Sequence, residues 1–395
     1  MKLAKMSIVA ALLLSANAYA IENVKVSGDA KLFYSTDDST NTTTTKGGLF
    51  EQTSSAGQAA VNIGLTADLL ENVSTGVAMT GLSSLGLHNN LVSGVWEDQV
   101  DLNGGDYWFS EAWMATTMGK TTAKVGRQTL DTPLAFTETW SIAENTFDAA
   151  VLINQDLPDT TLIGTYIGST NQGGNSFGSV SGAVAGGDAG ATRYSNLGAY
   201  AFGAVNNSMK ELTLQAWYYN VISAADALWL SADLDMSGIL AGVQYSKLDN
   251  TSGDDGDMMA LMLGYAMKDV ATFKVAYSTT DDKVGAGTNF AGAQTKAYTE
   301  VWWNYGRVAS ADTDSILLSA EATVANIDLY AGYAMIDHGT GSAFATDLNE
   351  LAISASKSYG PLDTSVVFIN TDEGVAGAAG GDAENMLQLY LTLNF

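Results

Sequence analysis

Apolar and polar residues alternate one by one in short runs along this chain. Val24, Val26, Ala30, Leu32 and Tyr34 stand against Lys25, Ser27, Asp29, Lys31 and Ser35. Leu228, Leu230, Ala232 and Leu234 stand against Ser231, Asp233 and Asp235. Phe273, Val275 and Tyr277 oppose Thr272, Lys274 and Ser278, and Ile316, Leu318 and Ala320 oppose Ser319 and Glu321. A strand sends successive side chains to opposite faces, so each run predicts a strand with one apolar face. The last run, residues 387–395, puts Leu387, Leu389, Leu391, Leu393 and Phe395 on one parity. Gln388, Thr392 and Asn394 take the other, with Tyr390 as the exception. By itself such a strand suits a soluble sandwich as well as any other all-β fold.

The connections discriminate. Tight turns are predicted near Glu71-Asn72, Gly119-Lys120, Pro158-Asp159, Asn206-Asn207, Met236-Ser237-Gly238, Lys268-Asp269, Ala325-Asn326 and Gly360-Pro361. They alternate with long Gly- and Asp-containing segments such as 37–57, 85–106, 129–146, 171–192 and 281–313. This rhythm predicts a transmembrane antiparallel β-barrel of about 18 strands, or 16, with short periplasmic turns and long extracellular loops. Its strands have the roughly 9–11 residues needed to cross a bilayer at a tilt. Closing the sheet pairs every backbone group within the hydrocarbon and leaves no edge. Aromatics at strand ends, Tyr34, Tyr107, Trp108, Tyr277, Tyr390 and Phe395, are expected to form interfacial girdles. The segment 298–305, with Trp302 and Trp303, reads equally as an extra strand or a packed loop.

Composition adds the compartment. Lys2 and Lys5 precede an apolar run over 8–14, and Ala18-Tyr19-Ala20 closes it, which predicts a secretory signal peptide over 1–20. Residues 21–395 then form one barrel domain, placed in a bacterial outer membrane. There is no Cys, and only 3 Pro stand beside 41 Gly. No later window is apolar enough for a transmembrane helix.

Charge narrows the partners. The chain carries 17 basic and 43 acidic residues, and without Lys2 and Lys5 the balance is 15 against 43, or −28. Phosphate backbones would be repelled, which argues against nucleic acid. A barrel of 16–18 strands leaves an aqueous lumen, and acids lining it would attract cations. Catalysis lacks support: His88 and His338 fall in predicted loops, and no Gly-x-Ser-x-Gly elbow or phosphate loop occurs. No cofactor is expected. The acids at Asp254-Asp255-Gly256-Asp257, Asp281-Asp282 and Asp312/Asp314 offer oxygens to Ca²⁺ without EF-hand spacing, so solvated loops are the plainer reading.

Residues 129–147 differ from the other long segments. They hold almost no Gly and carry Leu130, Leu134, Phe136, Trp140, Ile142 and Phe147. Such a loop is expected to pack rather than extend into water. As the third long connection it either folds into the lumen or covers it as a lid. Folded inward, it would bring Asp131, Glu138 and Glu144 to a constriction, with Lys124 and Arg127 opposing them. A charge facing mid-bilayer lipid costs about 2–4 kcal/mol, so Lys31, Asp68, Asp233, Lys274 and Glu321 are expected to face the lumen.

The residues also resemble a known group. Residues 21–34, 109–113, 124–128, 131–135 and 145–155 are similar to outer-membrane porins of epsilonproteobacteria, and beyond them to OprD-like channels. The final Tyr390-Leu391-Thr392-Leu393-Asn394-Phe395 resembles the terminal signal read by the barrel-assembly machinery. The resemblance spans essentially the whole chain after residue 20 and is strongest over 107–167. It implies eighteen strands, an inward third loop and a homotrimer embedded in lipid and lipopolysaccharide. OprD-like channels line one wall with Arg and Lys; here only Arg127, Arg193 and Arg307 are available as Arg, which disfavours anionic substrates. The combined expectation is a cation-preferring diffusion porin for ions and small hydrophilic solutes. A substrate-selective OprD-like channel and an adhesin or structural anchor are the alternatives.

Overall fold

In the computed structural model eighteen strands form one closed antiparallel sheet. The structure describes residues 21–38, 48–83, 85, 107–140, 142–170, 192–193, 198–344, 346–374 and 383–395. The expected signal peptide lies outside them, as do His88 and most of the 85–106 and 171–192 segments.

The strands are β1 (Glu22–Asp37), β2 (Ser55–Leu70), β3 (Val73–Ser83), β4 (Tyr107–Met118), β5 (Thr121–Gln128) and β6 (Phe147–Asn154). Then come β7 (Thr160–Thr170), β8 (Ala199–Met209), β9 (Leu212–Val221), β10 (Ala225–Met236), β11 (Ile239–Asn250) and β12 (Gly256–Met267). The last six are β13 (Ala271–Thr280), β14 (Thr313–Val324), β15 (Ile327–His338), β16 (Leu348–Tyr359), β17 (Leu362–Glu373) and β18 (Glu384–Asn394). A two-residue stub, Thr192–Arg193, adds to the end of β7. Each strand pairs with its chain neighbours. β1 also pairs with β18, from Asp29 opposite Asn394 to Asp37 opposite Met386, which closes the sheet. Segment 298–305 belongs to a packed loop and adds no strand.

Tight turns gather at one end of the barrel and the longer connections at the other, where the link 222–224 between β9 and β10 is the short exception. Ser237-Gly238 and Ala325-Asn326 both hold positive φ at each central residue. That is the two-residue hairpin geometry whose twist matches the flanking strands. One turn departs from expectation: Asn206 and Asn207 lie inside β8, and the chain reverses at 210–211. Asn207 still donates its N–H to the Asp159 carbonyl, and Asn206 donates from Nδ2 to Thr160, so pairing with β7 runs past them. The surplus residue is absorbed by a register shift between Leu212 and Leu214.

Burial runs inside out. On β13 the alternate residues Phe273, Val275 and Tyr277 are exposed, whereas Ala276 and Ser278 are buried. Leu261, Leu263 and Leu318 continue the exposed apolar face on neighbouring strands. A belt of this size in water would be a large unpaid patch; against hydrocarbon it is the matching surface. Inside, buried side chains of the wall merge with the long connections into one apolar cluster, which includes Leu134, Phe147, Trp217, Tyr219, Trp229 and Phe290.

Two expected girdle aromatics turn inward instead. Tyr390 pairs across the closing ladder with Phe33, ring centroids 4.9 Å apart, and Phe33 is fully buried. Trp108 packs with Ile142 in the same cluster. Parity decides this: Trp108 alternates with exposed Tyr107 and Phe109, Tyr390 alternates with Leu389 and Leu391, and the third loop covers both inward rings. Tyr107, Tyr277 and Phe395 remain exposed.

Candidate functional site: two loops folded onto the inner wall

Residues 129–146, between β5 and β6, pack against the inner wall. Leu134 donates its N–H to the Tyr219 hydroxyl at 3.2 Å. Tyr219 alternates with exposed Tyr218 on β9, so it points inward. At the other end of the loop Ile142 packs against Phe33, Ala60 and Leu82, and the Tyr390 hydroxyl donates to the Trp140 carbonyl at 3.3 Å. The loop thus spans the interior from β9 to the β1–β18 seam. Its apolar residues do what their composition requires, because a bare backbone inside the barrel needs both burial and partners.

A second connection, 281–312, comes in beside it. Asn289 acts on the third loop as a strand partner would: Phe136 donates its N–H to Asn289 Oδ1 at 3.2 Å, and Asn289 Nδ2 donates to the Phe136 carbonyl at 2.9 Å. Phe290 donates its N–H to the Leu134 carbonyl at 2.8 Å. Further on, the Tyr298 hydroxyl donates to Asp233, close to the tight-turn end of β10. Room for that ring comes from Gly242, directly opposite Asp233 in the ladder; a Cβ there would lie 2.3 Å from the Tyr298 oxygen. Burial pushes the Tyr298 phenol well above its ordinary value, with the Asp233 carboxylate acting in the same direction.

Three carboxylates tie this second loop down. Glu138 is 2% exposed and accepts from Trp140 Nε1, Asn289 Nδ2 and the Gln294 N–H. Glu300 accepts N–H groups of Thr295, Val301 and Gly306 at 2.5, 3.1 and 3.1 Å. Glu350, on the inner face of β16, accepts from the Trp302 and Trp303 N–H groups at 2.7 and 3.0 Å. Its other oxygen takes the Asn304 N–H and Nδ2 at 2.9 and 2.8 Å. A buried carboxylate holding several N–H donors is a strong anchor.

The candidate constriction residues separate into two groups. Asp131 reaches the lumen and forms an ion pair with Lys296 of the second loop. Glu144 faces Lys31 on β1 at 3.6 Å. Glu138 is held by the loop-to-loop contacts just described and is buried between the two loops. Lys124 and Arg127 do not oppose these acids. The Lys124 ammonium sits 4.1 Å over the Trp113 ring of the adjacent strand. Arg127 shares the parity of Val125, which is 59% exposed. Its guanidinium holds Asp148 at 2.9 and 3.1 Å and reaches the Phe109 carbonyl. Sequence distance from the loop said nothing about which face each cation takes.

Ladder parity puts Lys31, Asp68, Asp233, Lys274 and Glu321 on the inner side of the wall. Lys274 bonds Glu321 across β13 and β14 at 3.0 Å, and Asn23 donates to Asp68 at 2.6 Å. At the seam Leu391 and Leu393 take the outward parity, away from Tyr390. Phe395 exchanges both backbone hydrogen bonds with Gly28 at 2.9 Å.

Three of the loop acids considered for Ca²⁺ hold backbone N–H groups. Asp255 accepts the Asn250 N–H, Asp281 the Lys283 N–H and Asp312 the Gly341 N–H. Among the described residues no three His, Cys, Asp or Glu side chains converge for a metal ion. His338 ends β15, buried against Thr313 and Ser342, rather than lying in a loop.

Residues of the second loop and Glu350 are the participants that pattern reading missed. The available signal was the apolar content of 281–312 (Phe290, Val301, Trp302, Trp303, Val308), the property that marked the third loop.

No family model matches the sequence, and no curated protein does. Solved structures do. OccK9 (OpdG) of Pseudomonas aeruginosa superposes with a TM-score of 0.74 at 16% identity, over 95% of this chain and 99% of that one. OccK3 (OpdO) of the same organism gives 0.71 at 14%, over 97% and 99%. OpdK of the same organism, solved with vanillate, gives 0.72 at 11%, over 95% and 99%. At these identities the likeness is one of fold: the chain forms the closed eighteen-stranded barrel of these outer-membrane proteins, at nearly full length on both sides.

Proposed function

We propose that this protein is an outer-membrane channel through which ions and small hydrophilic solutes diffuse along a lumen narrowed by the third loop and its companion. The carrying observation is the pair of interlocked loops on the inner wall of an eighteen-stranded barrel. Eighteen strands enclose more space than wall side chains fill, and the loops occupy part of it while staying hydrogen-bonded to the wall. Passive flow needs no turnover and no cofactor. The resemblance to epsilonproteobacterial porins and OprD-like channels supports this reading, as does the shared fold. The same resemblance supports a homotrimer in lipid and lipopolysaccharide, delivered by the barrel-assembly machinery that reads Phe395.

Cation preference belongs to this proposal. Its support is the −28 balance after residue 20. Three lumen-side cations are already engaged: Lys31 with Glu144, Lys274 with Glu321 and Lys296 with Asp131. Fixed charges at a narrow, low-dielectric ring act strongly on passing ions. Planar-bilayer recording under a KCl gradient tests it. The expected result is ohmic steps with a reversal potential on the cation side; an anion-side reversal rejects the preference, and folded protein without conductance rejects the channel in favour of an adhesin or anchor. Substrate selectivity is the second reading, supported by how rigidly the loops are tied, and saturable flux of one solute would favour it.

A further inference from the structure

The lumen wall near the tight-turn end of β13–β16 carries a cavity of about 760 Å³. Its apolar face is made by Trp302, descending from the second loop, and Tyr330 on β15. Their rings lie 5.4 Å apart at 36°. Both are half-buried and rest on Ala352, Val367 and Ile369 of the wall. The polar lining includes Asp269, Glu321, Asp328 and Ser354, with further Ser and Thr hydroxyls beside them. Asp269, Glu321 and Asp328 are carboxylates, and among the described residues no Lys or Arg lines the cavity. Lys274 bonds Glu321 Oε1 alone, and Asp328 accepts one hydroxyl, from Thr323 at 2.7 Å.

These groups are held in place but not used up. The Glu350 carboxylate grips three successive backbone N–H groups, at Trp302, Trp303 and Asn304, and so fixes the indole over Tyr330. Yet Trp302 Nε1, the Tyr330 hydroxyl and Ser354 Oγ make no hydrogen bond among the described residues. Ser354 is only 7% exposed, and what it exposes faces the cavity. An ordinary packed core would bury such groups against partners. Here a rigid aromatic surface, excess negative charge and unpaired hydrogen-bonding groups converge on open space.

We propose that Trp302, Tyr330 and the Glu321/Asp328 carboxylates form a binding station for small organic cations, an alkylated or quaternary ammonium, on the lumen wall. Aromatic faces attract such cations through the ring quadrupole while carboxylates supply the counter-charge. Anions are repelled by the same acids. A hydroxyl on the ligand finds Ser354. The station deepens the channel reading and rests on it, since a ligand reaches the cavity through the lumen. Weak, reversible occupancy is what conduction requires.

Choline is the probe, with sodium, maltose and benzoate as comparisons at matched ionic strength. Calorimetric titration into the folded, detergent-solubilised protein is expected to show saturable choline binding, and the same concentrations are expected to interrupt KCl current in bilayers. Trp302→Ala is expected to raise the half-saturating choline concentration about tenfold, the scale of one lost cation–aromatic contact. Tyr330→Phe keeps the ring and is expected to stay close to the parent, whereas Tyr330→Ala weakens binding; this contrast separates a ring effect from misfolding. Choline binding no stronger than sodium, or unchanged in Trp302→Ala, overturns the station. Maltose binding as tightly as choline overturns it in favour of neutral polyols, and benzoate doing so overturns it in favour of anions. A protein that fails to conduct KCl but binds choline at this cavity loses the channel reading and keeps the station.

Discussion

Glu300 shows how one residue sets conditions for the interior. Its carboxyl sits under the second loop, and burial pushes its pKa up to about 7 against the four hydrogen bonds that pull it down. An unfolded glutamate starts near 4.5. Between about pH 4.5 and 7 the folded loop therefore holds a proton that the unfolded chain has lost, so loop stability falls as pH rises through that window. Protection of 281–312 from hydrogen exchange is expected to weaken from pH 5 to pH 7.5. Glu300→Gln, which cannot ionise, is expected to flatten that profile; an unchanged profile would assign the dependence to another group. The sequence displayed this acid, but nothing in its spacing announced its partners, because the backbone groups that bond it, at Thr295, Val301 and Gly306, are brought round it by the turns of the loop.

At the scale of elements, the two inward loops form one unit, and Asn289 is the joint. It replaces a missing strand neighbour by bonding both backbone groups of Phe136 and reaches Glu138 as well. Losing such buried bonds costs about 1–3 kcal/mol for each polar group left unpaired. Asn289→Ala is expected to leave the barrel folded while loosening the third loop. Single-channel conductance then becomes larger or noisier, and protease cuts within 129–146 appear sooner. Unaltered conductance and cleavage would mean the apolar contacts of Leu134 and Ile142 suffice to hold it. Packing of the third loop was legible from its six apolar residues and scarce Gly. The companion loop carried a similar signal in Trp302 and Trp303, but eight residues of mixed pattern do not distinguish a strand from a packed turn.

The whole molecule depends on closing the sheet. The seam joins β1 to β18, and Phe395 completes it by exchanging both backbone bonds with Gly28. On the outer surface a Cβ at Gly28 would come within 2.7 Å of the Phe395 ring and would also crowd the Asn62 carbonyl of β2. Gly28→Val and deletion of Phe395 are each expected to reduce the fraction of barrel that resists SDS without heating, read as the heat-dependent gel shift. Conductance of the molecules that do assemble should change little. Normal assembly of both variants would show that the other seam pairs carry closure alone.

What the sequence determined is the barrel. Alternation with period two, tight turns such as Ser237-Gly238, and the odd-numbered Leu residues of the last strand are local features, and a closed sheet is where they all agree. Face and partner were decided only in three dimensions. Tyr390 breaks the pattern of its strand because the third loop needs a ring beneath it. Arg127 faces away from the loop that begins two residues later because β5 turns alternate residues to opposite sides. Glu138 takes its hydrogen bonds from a loop about 150 residues further along the chain. Contacts across a barrel join positions that no local period relates, so the wall could be read from the residues in order, and what the wall encloses could not.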